Sequence, residues 1–317
     1  MGHNNKQNNN NKIKNIRNAR ITILFILAAI LVVVVSAVMA VKFSTSKQAV
    51  QALDANLDTN LDSNTKDNQT EIASNTAPTT ESNSEVEDVA FVEKYLQQQM
   101  KGQKPDGADG KKVVYLTFDD GPSETVTPQI LDILKAENVH ATFFIVGKEL
   151  DASEANKNLV KREVSEGNAI GNHTYSHNYN YLYPNGKINL DNCMADFDKT
   201  NQSLKNILGQ DFSTRAFRFP GGQMTWDKKD PQGAEAMDNA LHGKDWHQID
   251  WNALSKDAEG AHKNAQQLTE QVKETVGKRE KAIILMHDTY GKEETAKALP
   301  GIIEYLKSQG YEFKILK

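Results

Sequence analysis

The chain has 317 residues, one cysteine and a formal net charge of −5. That length allows one or two domains with a sizeable core, and a lone Cys193 excludes an intrachain disulfide. Charge is unevenly spread: residues 1–42 carry six Lys or Arg and no acid, residues 43–85 sum to −5, and residues 86–317 to −6, so the long carboxyl-terminal part has no broad basic surface for nucleic acid.

In chain order, residues 1–20 are Asn- and Lys-rich and read as a cytoplasmic tail. Residues 21–41 hold no charge. As a helix they span about 31 Å, the thickness of a hydrocarbon core. Lys6, Lys12, Lys14, Arg17 and Arg20 precede this run and only Lys42 closely follows it, which predicts one transmembrane anchor with the rest of the chain outside. Cleavage after Val38-Met39-Ala40 would instead release a secreted form. Residues 42–85 are rich in Asp, Asn, Ser and Thr and read as an extracellular linker. Residues 86–110 read as an amphipathic helix (86–100) and a loop leading into the domain.

From residue 111 to 317 strand and helix signals alternate. Strands are predicted at 113–117, 141–146, 169–171, 216–219, 246–250, 282–286 and 311–316, and helices at 128–137, 156–166, 190–208, 261–275 and 293–308. This alternation predicts a parallel α/β domain, open or closed into a barrel. Cys193 falls within the 190–208 helix, as a small buried hydrophobe.

Five of the predicted strands end in chemistry. The first stops at Asp119-Asp120-Gly121-Pro122, and in the turn past a strand end both carboxylates can reach one site. The 169–171 strand is followed by His173-Thr174-Tyr175-Ser176-His177, whose imidazoles share a face if the segment makes a helical turn. That spacing alone is also met on plain surfaces. With Asp120 it composes a three-ligand catalytic metal site, leaving Asp119 free to take a proton. Arg218-Phe219-Pro220-Gly221-Gly222 offers an arginine to hold a carboxylate ionised and glycines that let backbone N–H groups approach a ligand. Ile249-Asp250-Trp251 and Met286-His287-Asp288 end two more strands; paired with Asp250, His287 would become a general acid. His3, His140, His242, His247 and His262 have no such context and read as solvated or structural.

These segments, in this order, resemble the polysaccharide deacetylases with chitooligosaccharide-deacetylase (NodB-type) homology, carbohydrate esterase family four. The resemblance covers residues 111–317. It implies a distorted (β/α) barrel of about seven parallel strands and a divalent metal, Zn2+ first and Co2+, Ni2+ or Mn2+ as alternatives. It implies Asp119 as base, Asp120, His173 and His177 as ligands, Arg218 orienting Asp119, His287 as acid and Asp250 supporting His287. Gly221 stands where the family often has Tyr; its N–H still serves an oxyanion, but one wall of the groove is removed. Trp251 would line an acetyl pocket, and Tyr179, Tyr181 and Tyr183 would either stack on sugar rings or belong to an ordinary polar loop. The expected protein is a membrane-anchored extracellular hydrolase that deacetylates N-acetylglucosamine of cell-wall peptidoglycan, with no nucleic acid and no obligate protein partner. The alternatives are a deacetylase of chitin oligomers or O-acetylated xylan, or an inactive wall-binding module. A metal phosphoesterase is disfavoured because its usual second metal needs more carboxylates.

Overall fold

The computed structural model describes residues 85–317; the expected tail, membrane span and most of the linker lie outside them. Among the described residues no helix is long and apolar enough to cross a membrane.

Seven strands form one parallel path. They are β2 (Val113–Asp119), β3 (Thr142–Ile145), β4 (Ala169–Asn172), β5 (Ala216–Phe217), β6 (His247–Gln248), β7 (Ala253–Leu254) and β8 (Lys281–His287), in the order β6-β5-β4-β3-β2-β8-β7. β6 and β7 end the path, so the expected distorted barrel is an open half-barrel. β9 (Glu312–Phe313) pairs with the start of β2. Two elements not expected from the sequence, β1 (Val86–Glu87) and β7, are two residues each, too short to show a period.

Alternation along the strands divides the core. Val114, Leu116 and Phe118 of β2 face an outer layer with Ile130, Leu131, Leu268, Leu299 and Ile303 from surrounding helices. Val113 and Tyr115 face inward with Phe144, Ile249 and Ile283. Into that inner face packs the helix Val89–Met100, through Val92 and Leu96. Asp88 caps it by accepting from the Phe91 N–H at 3.1 Å. β1 pairs in parallel with β10 (Ile315–Leu316), joining this lead-in segment to the carboxyl terminus. Residues 86–110, expected only to lead into the domain, are therefore part of its fold.

A satellite cluster lies beside β5. Leu182, Phe197, Phe217, Phe219, Trp226 and Met237 bury one another between the helices Leu190–Leu208, Gln223–Lys229 and Pro231–His242. The last two helices were not expected; the stretch 223–242 is broken by Asp230-Pro231 and dense in polar residues. Cys193 is buried here, and burial pushes its thiol up to about 12.

Candidate active site

The register of the sheet brings the chemical groups together. Asp119 and His287 are paired residues of β2 and β8. Asn172 is paired with Phe217, so His173 and Arg218, the next residues, leave β4 and β5 side by side. All emerge at the carboxyl ends of parallel strands, where α/β folds place their ligands.

Asp119 shares the inner face of β2 with Tyr115 and Thr117 by alternation. Asp120 follows in a left-handed conformation (φ 70°), which turns its side chain back over the same strand end. The turn needs Gly121: a Cβ there would collide with the Asp288 carboxylate. Asp288 itself accepts from Thr127 Oγ1 at 2.5 Å, and burial pushes it up to about 7.

Arg218 is fully buried and ties the floor of the site together. Its Nη1 donates to Asp119 Oδ1 at 2.7 Å and to Thr117 Oγ1 at 2.8 Å, and its Nε donates to the Ile249 carbonyl at 2.7 Å. Its guanidinium lies 4.0 Å from the centre of the Phe144 ring.

Asp120, His173 and His177 present donor atoms within 4.8 Å of one another. Asp120 Oδ1 stands 3.4 Å from His173 Nε2 and 3.2 Å from His177 Nε2. His173 Nδ1 donates to the Arg218 carbonyl at 2.8 Å. A carbonyl can only accept, so the neutral ring keeps its Nε2 lone pair for the cluster. The helical turn expected for His173–His177 is absent. The segment is a loop with Thr174 and His177 at positive φ, held by Asp196 Oδ2, which accepts from the Tyr175 and Ser176 N–H groups at 3.0 and 2.8 Å and from Ser176 Oγ at 2.9 Å. Burial would raise Asp120, but the close His173 ring and the charges of His173, His177 and His287 hold it well below the usual carboxylate range. Burial lowers His173, yet the charges of Asp119 and Asp120 outweigh it and raise the ring. His177, pushed down by burial and by the charge of His173, falls to about 4.

These residues fit a divalent cation. Asp120 Oδ1 is buried and accepts no hydrogen bond, and two imidazole nitrogens face it. Such an orphaned acceptor is costly unless a cation compensates it. Two imidazoles and a carboxylate form a three-ligand set that leaves positions open.

The expected pairing of Asp250 with His287 does not form. Asp250 instead accepts from the Gln223 and Met224 N–H groups at 2.8 and 2.7 Å, at the amino end of the helix Gln223–Lys229, and from Gln248 Nε2 at 2.6 Å. Its place is taken by Asp257, which the sequence reading missed: Oδ1 lies 2.8 Å from His287 Nδ1, and Oδ2 accepts from the His287 N–H at 2.9 Å and from Thr295 Oγ1 at 2.8 Å. Burial works against a charged His287, but the Asp257 hydrogen bond and charge raise the ring to about 9.

A cleft of about 390 Å³ opens onto these groups. Asp119, Asp120, His173, His177 and His287 line it, with Tyr179, Gly221, Trp251, Leu254 and Leu285 around them. Gly221 has φ 83°, and a Cβ there would meet the Tyr179 hydroxyl at 2.7 Å. The wall expected to be missing beside Gly221 is thus supplied by Tyr179. Tyr183 is a core residue, stacked on Trp226 at 3.8 Å and donating to the Pro220 carbonyl, and Tyr181 is exposed away from the cleft lining.

Residues 106–238 match the family described as polysaccharide deacetylase. The chain is 32% identical over 224 residues to a peptidoglycan-N-acetylglucosamine deacetylase of Bacillus cereus, covering 68% of this chain and 74% of that protein. It is 33% identical to a peptidoglycan-N-acetylglucosamine deacetylase of Listeria monocytogenes over 69% of this chain, but that match spans only 41% of the relative. Among solved structures, a Streptococcus mutans CE4 esterase superposes with a TM-score of 0.64 at 34% identity, over 73% of this chain and 92% of the other.

Proposed function

The chain belongs to the polysaccharide deacetylase family, and within it we propose that it removes the N-acetyl group from N-acetylglucosamine of cell-wall peptidoglycan, using a divalent ion held by Asp120, His173 and His177. The observation that carries this reading is a single cleft in which Asp119, fixed by Arg218, faces His287, fixed by Asp257, across the Asp120–His173–His177 cluster. Relatives named for this reaction at 32–33% identity support the substrate. The donor set suits zinc, with cobalt, nickel or manganese as substitutes.

Asp120, His173 and His177 would hold the ion, which would supply Lewis-acid polarisation of the acetyl carbonyl and a water of lowered pKa. Arg218 holds Asp119 Oδ1 and so orients the carboxylate, leaving its other oxygen to take the water's proton. Among the described residues the Gly221 N–H has no acceptor, and it would be free to donate to the oxyanion that develops on the carbonyl oxygen. Trp251, Leu254 and Leu285 take the methyl group. His287, protonated at neutral pH, gives its proton to the departing amine, while Asp257 holds the ring in place. The C–N bond breaks, acetate leaves and the glucosamine amine remains.

We further propose that residues 21–41, uncharged and preceded by five cationic residues, anchor the chain in the membrane with the amino terminus inside, so that the catalytic unit works on the wall and confers lysozyme resistance. Incubating full-length protein with purified wall and zinc should release acetate and convert N-acetylglucosamine to glucosamine in the muropeptides. No acetate from wall or any other N-acetylated glycan after metal loading would reject the reading; acetate from acetylated xylan alone would move it to another polysaccharide. Recovery of the chain in the wash rather than the membrane fraction would reject the anchor.

A further inference from the structure

A second group of metal-type donors lies outside the cleft. Glu93, on the inner-face helix Val89–Met100, turns Oε2 toward two histidines from distant parts of the chain: His242 Nε2 at 2.9 Å, at the end of the helix Pro231–His242, and His247 Nδ1 at 2.8 Å, in β6. The donors of all three lie within 4.8 Å of one another. Glu93 is buried, and its other oxygen is used by the Gln248 N–H at 2.9 Å.

Three further features distinguish this group from an ordinary ion pair. His247 Nε2 lies 3.1 Å from Asp245 Oδ1. Arg215 Nη2 is 3.3 Å from the same nitrogen but donates to Asp245 at 3.0 Å. Asp245 can accept the Nε2–H, which would free Nδ1 as a ligand once an ion replaces the proton it shares with Glu93, the arrangement that outer carboxylates impose on metal-binding histidines. Asp238 stands one helical turn before His242, and its Oδ1 is buried without a hydrogen-bond partner. Finally, Glu93 and Asp238 both line a cavity of about 560 Å³, which gives an ion a route in.

We propose that Glu93, His242 and His247 form a second divalent-cation site, for an ion of the zinc class, that fastens the lead-in helix to β6 and to the helix Pro231–His242. The site is structural and does not depend on the deacetylase reading. Imidazole and carboxylate donors favour zinc, nickel or copper over calcium or magnesium.

The test is metal stoichiometry on the untagged full-length protein, stripped with chelator and dialysed against zinc. His242 is the most exposed of the three side chains, at 42%, so His242→Gln should fold. Wild type should bind two equivalents, His242→Gln one, His177→Gln one, and the double variant none. Zinc should raise the melting temperature of His177→Gln but not of His177→Gln combined with His242→Gln. If His242→Gln retains the wild-type zinc content and the same zinc-induced melting shift, the second site does not exist. Loss of zinc with His242→Gln but not with His177→Gln would uphold this site and count against the one in the cleft.

Discussion

Arg218 is a cation without solvent exposure, and its surroundings explain how the fold tolerates it: Asp119 opposes the charge, and Thr117, Ile249 and Asp250 oxygens accept from three more of its N–H groups. Removing one partner of such a pair leaves an uncompensated buried charge. Arg218→Met should therefore cost about 3–5 kcal/mol in urea unfolding as well as abolish turnover. Arg218→Lys should not restore activity, because one ammonium cannot serve Asp119, Thr117 and Ile249 from separate directions. Asp257 sets the other half of the proton inventory. His287 is raised to about 9 by Asp257, so as a general acid it is competent below that pH and loses its proton as pH rises through it. In Asp257→Asn the alkaline limb of kcat/KM should move to lower pH, with kcat reduced about 10²-fold. A limb that stays in place would show that another group sets it. Asp250→Asn should leave that limb unmoved, since Asp250 serves the Gln223–Lys229 helix.

At the scale of elements, the His173–His177 loop has no regular hydrogen bonding of its own and depends on Asp196, which reaches it from the helix Leu190–Leu208. Asp196→Ala should weaken zinc binding at the cleft about 10–100-fold, the usual cost of losing a group that orients ligands, as read by competition with a chromophoric chelator. Unchanged affinity would mean the loop holds its shape unaided. The helix Val89–Met100 gives a different test. Leu96 is buried against the inner face of the sheet, so Leu96→Ala should destabilise the protein by roughly 2–4 kcal/mol in urea unfolding. A change under about 0.5 kcal/mol, typical of a surface position, would return this helix to the linker.

For the whole molecule, the cation and the fold are linked. The strand ends that carry Asp120, His173 and Arg218 belong to one parallel sheet, and an ion bound only by the folded arrangement stabilises it by mass action. Zinc at about one hundred times its dissociation constant should add about 2.7 kcal/mol, which for a domain of this size raises the melting temperature by roughly 5–10 °C. Chelation should reverse the shift and stop acetate release, and zinc should restore both. The open path from β6 to β7 also explains why the lead-in helix belongs to the domain: a half-barrel leaves its inner face uncovered, and Val89, Val92 and Leu96 cover part of it.

Much of this was legible in the amino-acid order because it is local. Strands that end in Asp119-Asp120, His173 and Arg218 announce themselves by a short apolar run meeting polar residues. A parallel sheet then aligns strand ends, so those residues meet whatever the loops do. The partners of the ends were not legible. Asp250 and Asp257 lie seven positions apart, on either side of the two-residue β7, and only the path of the chain past that strand decides which carboxylate meets His287. Likewise Tyr179 replaces a missing wall beside Gly221, and Glu93 meets His242 and His247, across sequence separations that carry no periodic signal. Periodicity encodes which face of an element is buried; which side chain stands opposite another is settled only when the elements pack.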